Sequence, residues 1–337
     1  MTDIREDTRT ELFRRNDSLE QLLAVVNQAL APAEKRWLEE EVNVQGLHPL
    51  VFIMGPLRSG TTLFIQWLAS TGVVAYPTNL LSRFYGAPAL GAMIQLLLTD
   101  ERYNFRNEIL DFHKPIDFAS ENGKTVGALG PNEFWYFWRK FLPFKELDWL
   151  SDQELFQVVD IKTLVSELHA LTRIFNKPFA MKGMILNYNI PFLDRIFEKA
   201  LFIQIHREPV ANVASVLEAR KRQHGDEAVW YSFKIPEYPE LQGLDALHQS
   251  AGQVTYIDRA VSHGMAQVDE SRKLFVDYDE FCRNPARVYE HLIEKLGIPT
   301  GNIPYNGPVS FENRRHVSSS KALEISNALT QLQLGDL

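Results

Sequence analysis

The stretch IMGPLRSGTTLFIQWLAS, Ile53 to Ser70, restricts the fold more than any other part of the chain. An apolar run stops at Gly55, a short polar loop carries a second glycine at Gly60, and an apolar helical pattern begins at two threonines. A buried strand that turns at once into a helix needs a neighbouring strand running the same way, because the helix must pack back over the sheet. Three further apolar runs meet that need: PFAMKG (178–183), ALFIQIHR (200–207) and KLFVDYD (273–279), beside the first at 50–55. Three of the four lead into helical patterns, and helices of ten to twenty residues lie between them. The expected fold is α/β, a P-loop-like three-layer α/β/α arrangement with a central, mostly parallel sheet. Residues 75–175 break the alternation with aromatic-rich segments such as NEFWYFWRKFLPF and read as a large helical insertion. Residues 1–45 read as a charged helical extension, with Leu19, Leu22, Leu23, Val26 and Leu30 on one stripe packed to the main body. A single domain spanning 1–337 accommodates all of this.

In such sheets ligands sit at the carboxyl ends of the strands. The loop Gly55-Pro-Leu-Arg-Ser-Gly60-Thr-Thr62 can turn backbone N–H groups inward, and the helix after it presents its positive end at Thr61 and Thr62. The spacing of Gly55 and Gly60 is that of G-x-x-x-x-G-K-[ST], but Thr61 stands where that pattern has lysine and the cation is Arg58, inside the loop. An anion site is expected; triphosphate hydrolysis, lacking the lysine and an evident metal-binding aspartate, is poorly supported. After the third strand Arg207 is followed by Pro209, suited to a helix's first turn, and by Ser215 eight residues on. A cation at a strand end and a hydroxyl from the next helix can meet on one phosphate.

The pair GPLRSGTTL and REPVANVAS resembles the sulfotransferase family that uses 3′-phosphoadenosine 5′-phosphosulfate (PAPS), and within it the bacterial and tyrosylprotein or carbohydrate branch. The resemblance covers about residues 48–325, with Leu57 where proline is usual. It implies that Arg58, Ser59, Gly60, Thr61 and Thr62 hold the 5′-phosphosulfate, and that Arg207 and Ser215 hold the 3′-phosphate. It implies that Lys182, in KPFAMKG, approaches the transferring sulfuryl group, that Tyr278 lies near the nucleotide, and that Arg315 and Lys321, in ENRRHVSSSKAL, close over it. Sulfuryl transfer needs cations at the leaving oxygen, a role open to Arg58 and Lys182, and does not require a metal. It also needs a base for the acceptor. Glu133 and His113 are the candidates, with Glu133 favoured because burial among Phe134, Trp135, Tyr136 and Trp138 would raise its pKa. The aromatics near 134–149 and 228–241 are expected to line the acceptor pocket.

Net charge of -8 without a long basic run argues against a nucleic-acid partner. No run is long enough for a membrane span, the N-terminal stretch lacks the apolar core of a signal peptide, and the single cysteine, Cys282, cannot form an internal disulfide. A soluble cytoplasmic enzyme acting on a small molecule, glycan, lipid or peptide is expected. A P-loop small-molecule kinase, or a non-catalytic nucleotide-binding protein of the same fold, remains open as an alternative.

Overall fold

The computed structural model describes residues 9–11, 14, 16–40, 48–103, 118, 120–121, 124–299, 303–313 and 317–334. In chain order the described elements are α1 (Asp17–Glu40), β1 (Leu50–Met54), α2 (Thr61–Ser70), α3 (Pro88–Thr99), β2 (Ser120–Glu121), β3 (Lys124–Thr125), α4 (Trp135–Phe141), α5 (Asp152–Val158) and α6 (Ile161–Phe175). They continue with β4 (Phe179–Lys182), α7 (Ile190–Ile196), β5 (Leu201–His206), α8 (Pro209–His224), α9 (Tyr238–Leu241), α10 (Ala246–Gln267), β6 (Lys273–Asp277), α11 (Tyr278–Arg283), α12 (Pro285–Lys295) and α13 (Ser319–Leu334).

All five residues of β1 are buried, as a strand covered on both faces requires. Its side chains alternate. Leu50, Phe52 and Met54 enter a core with Trp138, Phe197 and Phe202, while Val51 and Ile53 enter a second core with Phe64, Leu68 and Phe281. Helices therefore cover both faces, giving the α/β/α layering expected, with α4, α6 and α7 on the first side and α2, α11 and α12 on the second. The central sheet has the order β4-β1-β5-β6, and every pairing is parallel. Ile53 pairs in register with Lys182, and His206 with Asp277, so the four carboxyl ends are nearly level. The chain leaves β1 for β4 on one side, then crosses to β5 on the other. This reversal opens a crevice beside β1. Between β1 and β4 the chain also forms α3 to α6 and the short antiparallel hairpin β2–β3.

The N-terminal helix is α1; of the expected stripe Leu23 is buried but Leu22 is exposed, and the other buried positions are the polar Asn27 and Glu34. The reason is polar. Asn27 donates to the Arg83 carbonyl and accepts from the Gly86 N–H. Glu34 accepts from the Ala89 and Leu90 N–H groups at the start of α3, which has no other side-chain cap. Burial dominates Glu34 and raises its pKa, against those two hydrogen bonds and the charge of Lys140.

Candidate active site

Four groups singled out in the sequence stand at the carboxyl ends of the four central strands: the 55–60 loop after β1, Lys182 at the end of β4, Arg207 after β5 and Tyr278 after β6. All four line one open cleft of about 1270 Å³.

The loop after β1 is built around three residues with positive φ: Gly55 (147°), Arg58 (61°) and Gly60 (101°). At Gly60 a Cβ would lie 2.2 Å from the Tyr278 ring, so packing as well as backbone angle demands glycine. Asn187 clamps the loop's start, accepting from the Gly55 N–H at 3.1 Å and donating to the Gly55 carbonyl at 2.8 Å. Asn212 donates to the Leu57 carbonyl, and Arg207 Nη1 to the Arg58 carbonyl at 2.9 Å. Held so, the loop delivers the chain into α2 with no side chain capping its first turn. Gly60, Thr61 and Thr62, at this positive helix end, line the cleft.

Arg207 reaches its place because Glu208 caps α8, accepting from the Val210 and Ala211 N–H groups, with Pro209 in the first turn. Its guanidinium lies 4.9 Å from the centre of the Tyr278 ring. Burial pushes the Tyr278 hydroxyl up to about 12, which keeps it neutral. From α8, Ser215 Oγ accepts from Arg58 Nε at 3.2 Å. The two phosphate loops read from the sequence thus form one polar assembly, with Arg58 shared between them.

Lys182 is only 6% exposed, yet its ammonium is in the cleft, donating to Thr62 Oγ1 at 2.7 Å and to Glu133 Oε1 at 2.9 Å. Glu133 precedes Phe134, a left-handed residue (φ 56°) that starts α4. The aromatic burial expected of Glu133 does not occur. Its side chain is 38% exposed and turned to Lys182, because the left-handed step sends Phe134, Phe137 and Trp138 into the core on the other side. Of the expected pocket aromatics, Trp135, Trp230, Tyr231 and Phe233 line the cleft, while Phe134, Phe137, Trp138 and Phe141 are core.

Two expectations need correcting. Ser59 does not line the cleft: the turn at Arg58 buries its Oγ beneath the loop, without a hydrogen-bond partner, and only its backbone takes part, donating to the Pro56 carbonyl. Lys321 lies in the first turn of α13, half-exposed and paired with Glu324, rather than in the cleft. His113 and Arg315 lie outside the described residues. Among the described residues no group of three His, Cys, Asp or Glu side chains is placed to hold a metal ion, and no helix is long and apolar enough to cross a membrane. Asn187 and Asn212 were not foreseen as site residues; both serve the loop's backbone, a task that carries no spacing signature.

A family model described as "Sulfotransferase family" matches residues 49–302, well over half of the chain. The chain belongs to the sulfotransferase family. Among solved structures, the Mycobacterium avium sulfotransferase STF9 is similar, with 18% identity, a TM-score of 0.50, and coverage of 89% of this chain and 72% of that one. The Mycobacterium tuberculosis H37Rv sulfotransferase STF1 matches with 14% identity and a TM-score of 0.49 over 92% of this chain and 78% of that one. The sulfotransferase domain of the Synechococcus PCC 7002 olefin synthase matches with 17% identity and a TM-score of 0.42, over 86% and 96%. A search of curated proteins found no match. At these identities the first of these likenesses speaks for the fold, and membership of the sulfotransferase family rests on the matched residues 49–302.

Proposed function

We propose that this sulfotransferase takes its sulfuryl group from PAPS and passes it to a hydroxyl or amine of an acceptor, in line and without a metal. The observation that carries this reading is the joining of two cationic sites in one cleft. Arg58 and Lys182 stand beside the uncapped start of α2, Arg207 stands just before α8 with Ser215 in that helix's second turn, and the Arg58–Ser215 hydrogen bond links them. This donor set fits a nucleotide with two separated phosphates: N–H groups at a helix start, two arginines and a lysine, with no carboxylate cluster for a metal among the described residues.

Gly60, Thr61 and Thr62 would hold the 5′ end through backbone N–H groups and the Thr62 hydroxyl, and Arg207 with Ser215 the 3′-phosphate. The Tyr278 ring, fixed between Gly60 and Arg207, would border the nucleotide. Bound there, PAPS supplies an activated sulfuryl group on its 5′-phosphate. Lys182 and Arg58 set positive charge where the leaving oxygen gains negative charge. Glu133 Oε1, already within 2.9 Å of Lys182 Nζ, sits at the reacting end of the cleft and can accept the acceptor's proton. Trp135, Trp230 and Phe233 offer apolar walls to the acceptor. Residues 75–175 would then be the acceptor-side part of one domain.

Titration calorimetry with adenosine 3′,5′-bisphosphate, followed by an acceptor screen with radiolabelled-sulfate PAPS and mass analysis of products, tests this. Binding and label transfer without added metal are expected. Turnover of ATP with magnesium, and no binding of the bisphosphate, would favour a kinase. Binding without transfer to any acceptor would favour a non-catalytic nucleotide-binding protein.

A further inference from the structure

The stretch from Lys182 to Asn187 leaves β4 in a tightly fixed turn. The Gly183 N–H donates to the Ile53 carbonyl at 2.8 Å, and a Cβ on Gly183 would lie 2.1 Å from Sδ of the fully buried Met54. Met184 takes a left-handed conformation, φ 42°, and opens a single 3₁₀ turn, Met184–Leu186. The Leu186 N–H closes it on the Gly183 carbonyl, and the Asn187 N–H on the Met184 carbonyl. A left-handed methionine persists only where its surroundings over-determine it. The turn delivers Asn187, whose side chain is buried.

What Asn187 meets is Gly55, the first residue beyond the last paired position of β1. Buried peptide groups past a strand's last pair need partners from elsewhere. Asn187 supplies both: Oδ1 accepts from the Gly55 N–H at 3.1 Å, and Nδ2 donates to the Gly55 carbonyl at 2.8 Å. A Cβ on Gly55 would lie 2.7 Å from the Ile205 carbonyl oxygen, so β5 confines the same residue. One amide thus fixes both peptide planes at the root of the loop that runs to Gly60, Thr61 and Thr62. The other end of the turn carries Lys182, whose ammonium donates to Thr62 Oγ1 at 2.7 Å. The β4 turn and the loop are therefore joined twice, by Lys182 at the loop's end and by Asn187 at its start. Both heteroatoms of the Asn187 amide engage Gly55, so its action on a substrate runs through the loop.

We propose that Asn187 is a positioning residue for the transfer: its clamp on Gly55 sets the loop that holds the 5′ end of the nucleotide at a fixed place relative to Lys182, so that cradle and cation form one rigid piece. This rests on the reading of the cleft as a PAPS site.

The test uses the full chain and two probes, adenosine 3′,5′-bisphosphate and adenosine 3′-monophosphate, titrated calorimetrically into wild type, Asn187→Ala, Asn187→Asp and Asn189→Ala. Asn187→Asp keeps the volume and the acceptor for the Gly55 N–H but sets a carboxylate against the Gly55 carbonyl. Asn189→Ala is the control for loss of a buried asparagine as such. Asn189 is also buried and donates to the Leu150 carbonyl and to Asp152, but it does not line the cleft. Both Asn187 variants are expected to weaken the bisphosphate about tenfold, and the 3′-monophosphate less than about twofold. Asn189→Ala should weaken neither probe by more than about twofold. Phosphorus NMR of the bound bisphosphate reads the two ends within one ligand: Asn187→Asp should move the 5′ resonance and leave the 3′ resonance in place. Should the alanine variant fail to fold, the isosteric Asn187→Asp carries both measurements. Unchanged bisphosphate affinity, equal weakening of both probes, or a matching loss in Asn189→Ala would each overturn the proposal. A wild-type protein that binds neither probe would instead overturn the PAPS reading beneath it.

Discussion

Lys182 shows how one residue can be buried by its stem and still act at its tip. The strand β4 fixes its backbone beside Ile53, and the ammonium emerges between Thr62 and Glu133. In the proposed reaction its charge would act on the leaving oxygen more than on the bound nucleotide. Lys182→Ala is therefore expected to lower kcat by about 10²–10³-fold while changing the affinity for adenosine 3′,5′-bisphosphate by less than about fivefold, read by steady-state kinetics and calorimetry side by side. Arg207→Ala should show the opposite split, a large loss of nucleotide affinity. At Glu133 the isosteric change to Gln keeps the shape and removes the basic oxygen. A fall in kcat of about 10²-fold with acceptor KM little changed is expected; full activity would move the base elsewhere. The pairing with Lys182 means that the two substitutions will not be additive.

At the scale of elements, the site depends on two loops whose backbone shape matters as much as their side chains. Gly60→Ala puts a methyl group 2.2 Å from the Tyr278 ring at a φ of 101°. It should cost about 2–4 kcal/mol of stability, from backbone strain and overpacking together, and should abolish detectable nucleotide binding by displacing Tyr278. Urea denaturation and calorimetry would check the two effects separately. This loop was legible in the sequence because its demands are local: glycines at fixed offsets, an arginine between them, a helix directly after. The same holds for Arg207-Glu-Pro, where a helix cap and a first-turn proline are sequence neighbours. All four central strands were legible too, each being an apolar run of ordinary strand length. What was not legible depends on contacts between distant segments. Asn187 clamps Gly55 from 132 positions away, and the direction of Glu133 hangs on a single left-handed residue. The failure at Glu133 has a definite cause. Aromatic neighbours in sequence predicted burial, but with α4 beginning at Trp135 it is Phe134, Phe137 and Trp138 that enter the core, while Glu133 and Trp135 line the cleft. Lys321 failed through the same kind of inference, a basic residue near a loop that the helix α13 directs toward Glu324.

Across the whole molecule, α1, α4 and α6 are tied by a partly buried charge cluster whose residues do not line the cleft. Glu34 of α1, Lys140 of α4 and Glu167 of α6 interact there, with Lys140 Nζ 2.5 Å from Glu167 Oε1 and the Asp160 carboxylate adding repulsion. Burial pushes Glu167 up to about 7, against the opposing pull of Lys140, and raises Glu34 as well. A carboxyl whose pKa is raised by folding binds protons more tightly in the native chain. Its contribution is thus greatest below the unfolded value of about 4.5 and is lost as pH rises to about 7. His206, raised by the Asp258 carboxylate 3.6 Å away, and His248, raised by its bond to Gln331, lose their contributions in the same direction, but from about 6.5 upward. Exposed carboxylates held low by hydrogen bonds, such as Asp100 and Asp160, act oppositely, and their window closes below about pH 4. Stability is therefore expected to fall by about 2 kcal/mol between pH 5 and pH 7.5, measured by urea denaturation. Glu167→Gln separates the causes. At pH 5 the native Glu167 carboxyl is largely protonated, so the amide mimics it and stability there should change little, while most of the slope between pH 5 and 6.5, below the range in which the histidines lose their contributions, should disappear. A slope unchanged by the substitution would assign the pH dependence to other groups and leave the Glu34–Lys140–Glu167 cluster a fixed ion pair with no titration of its own near neutrality.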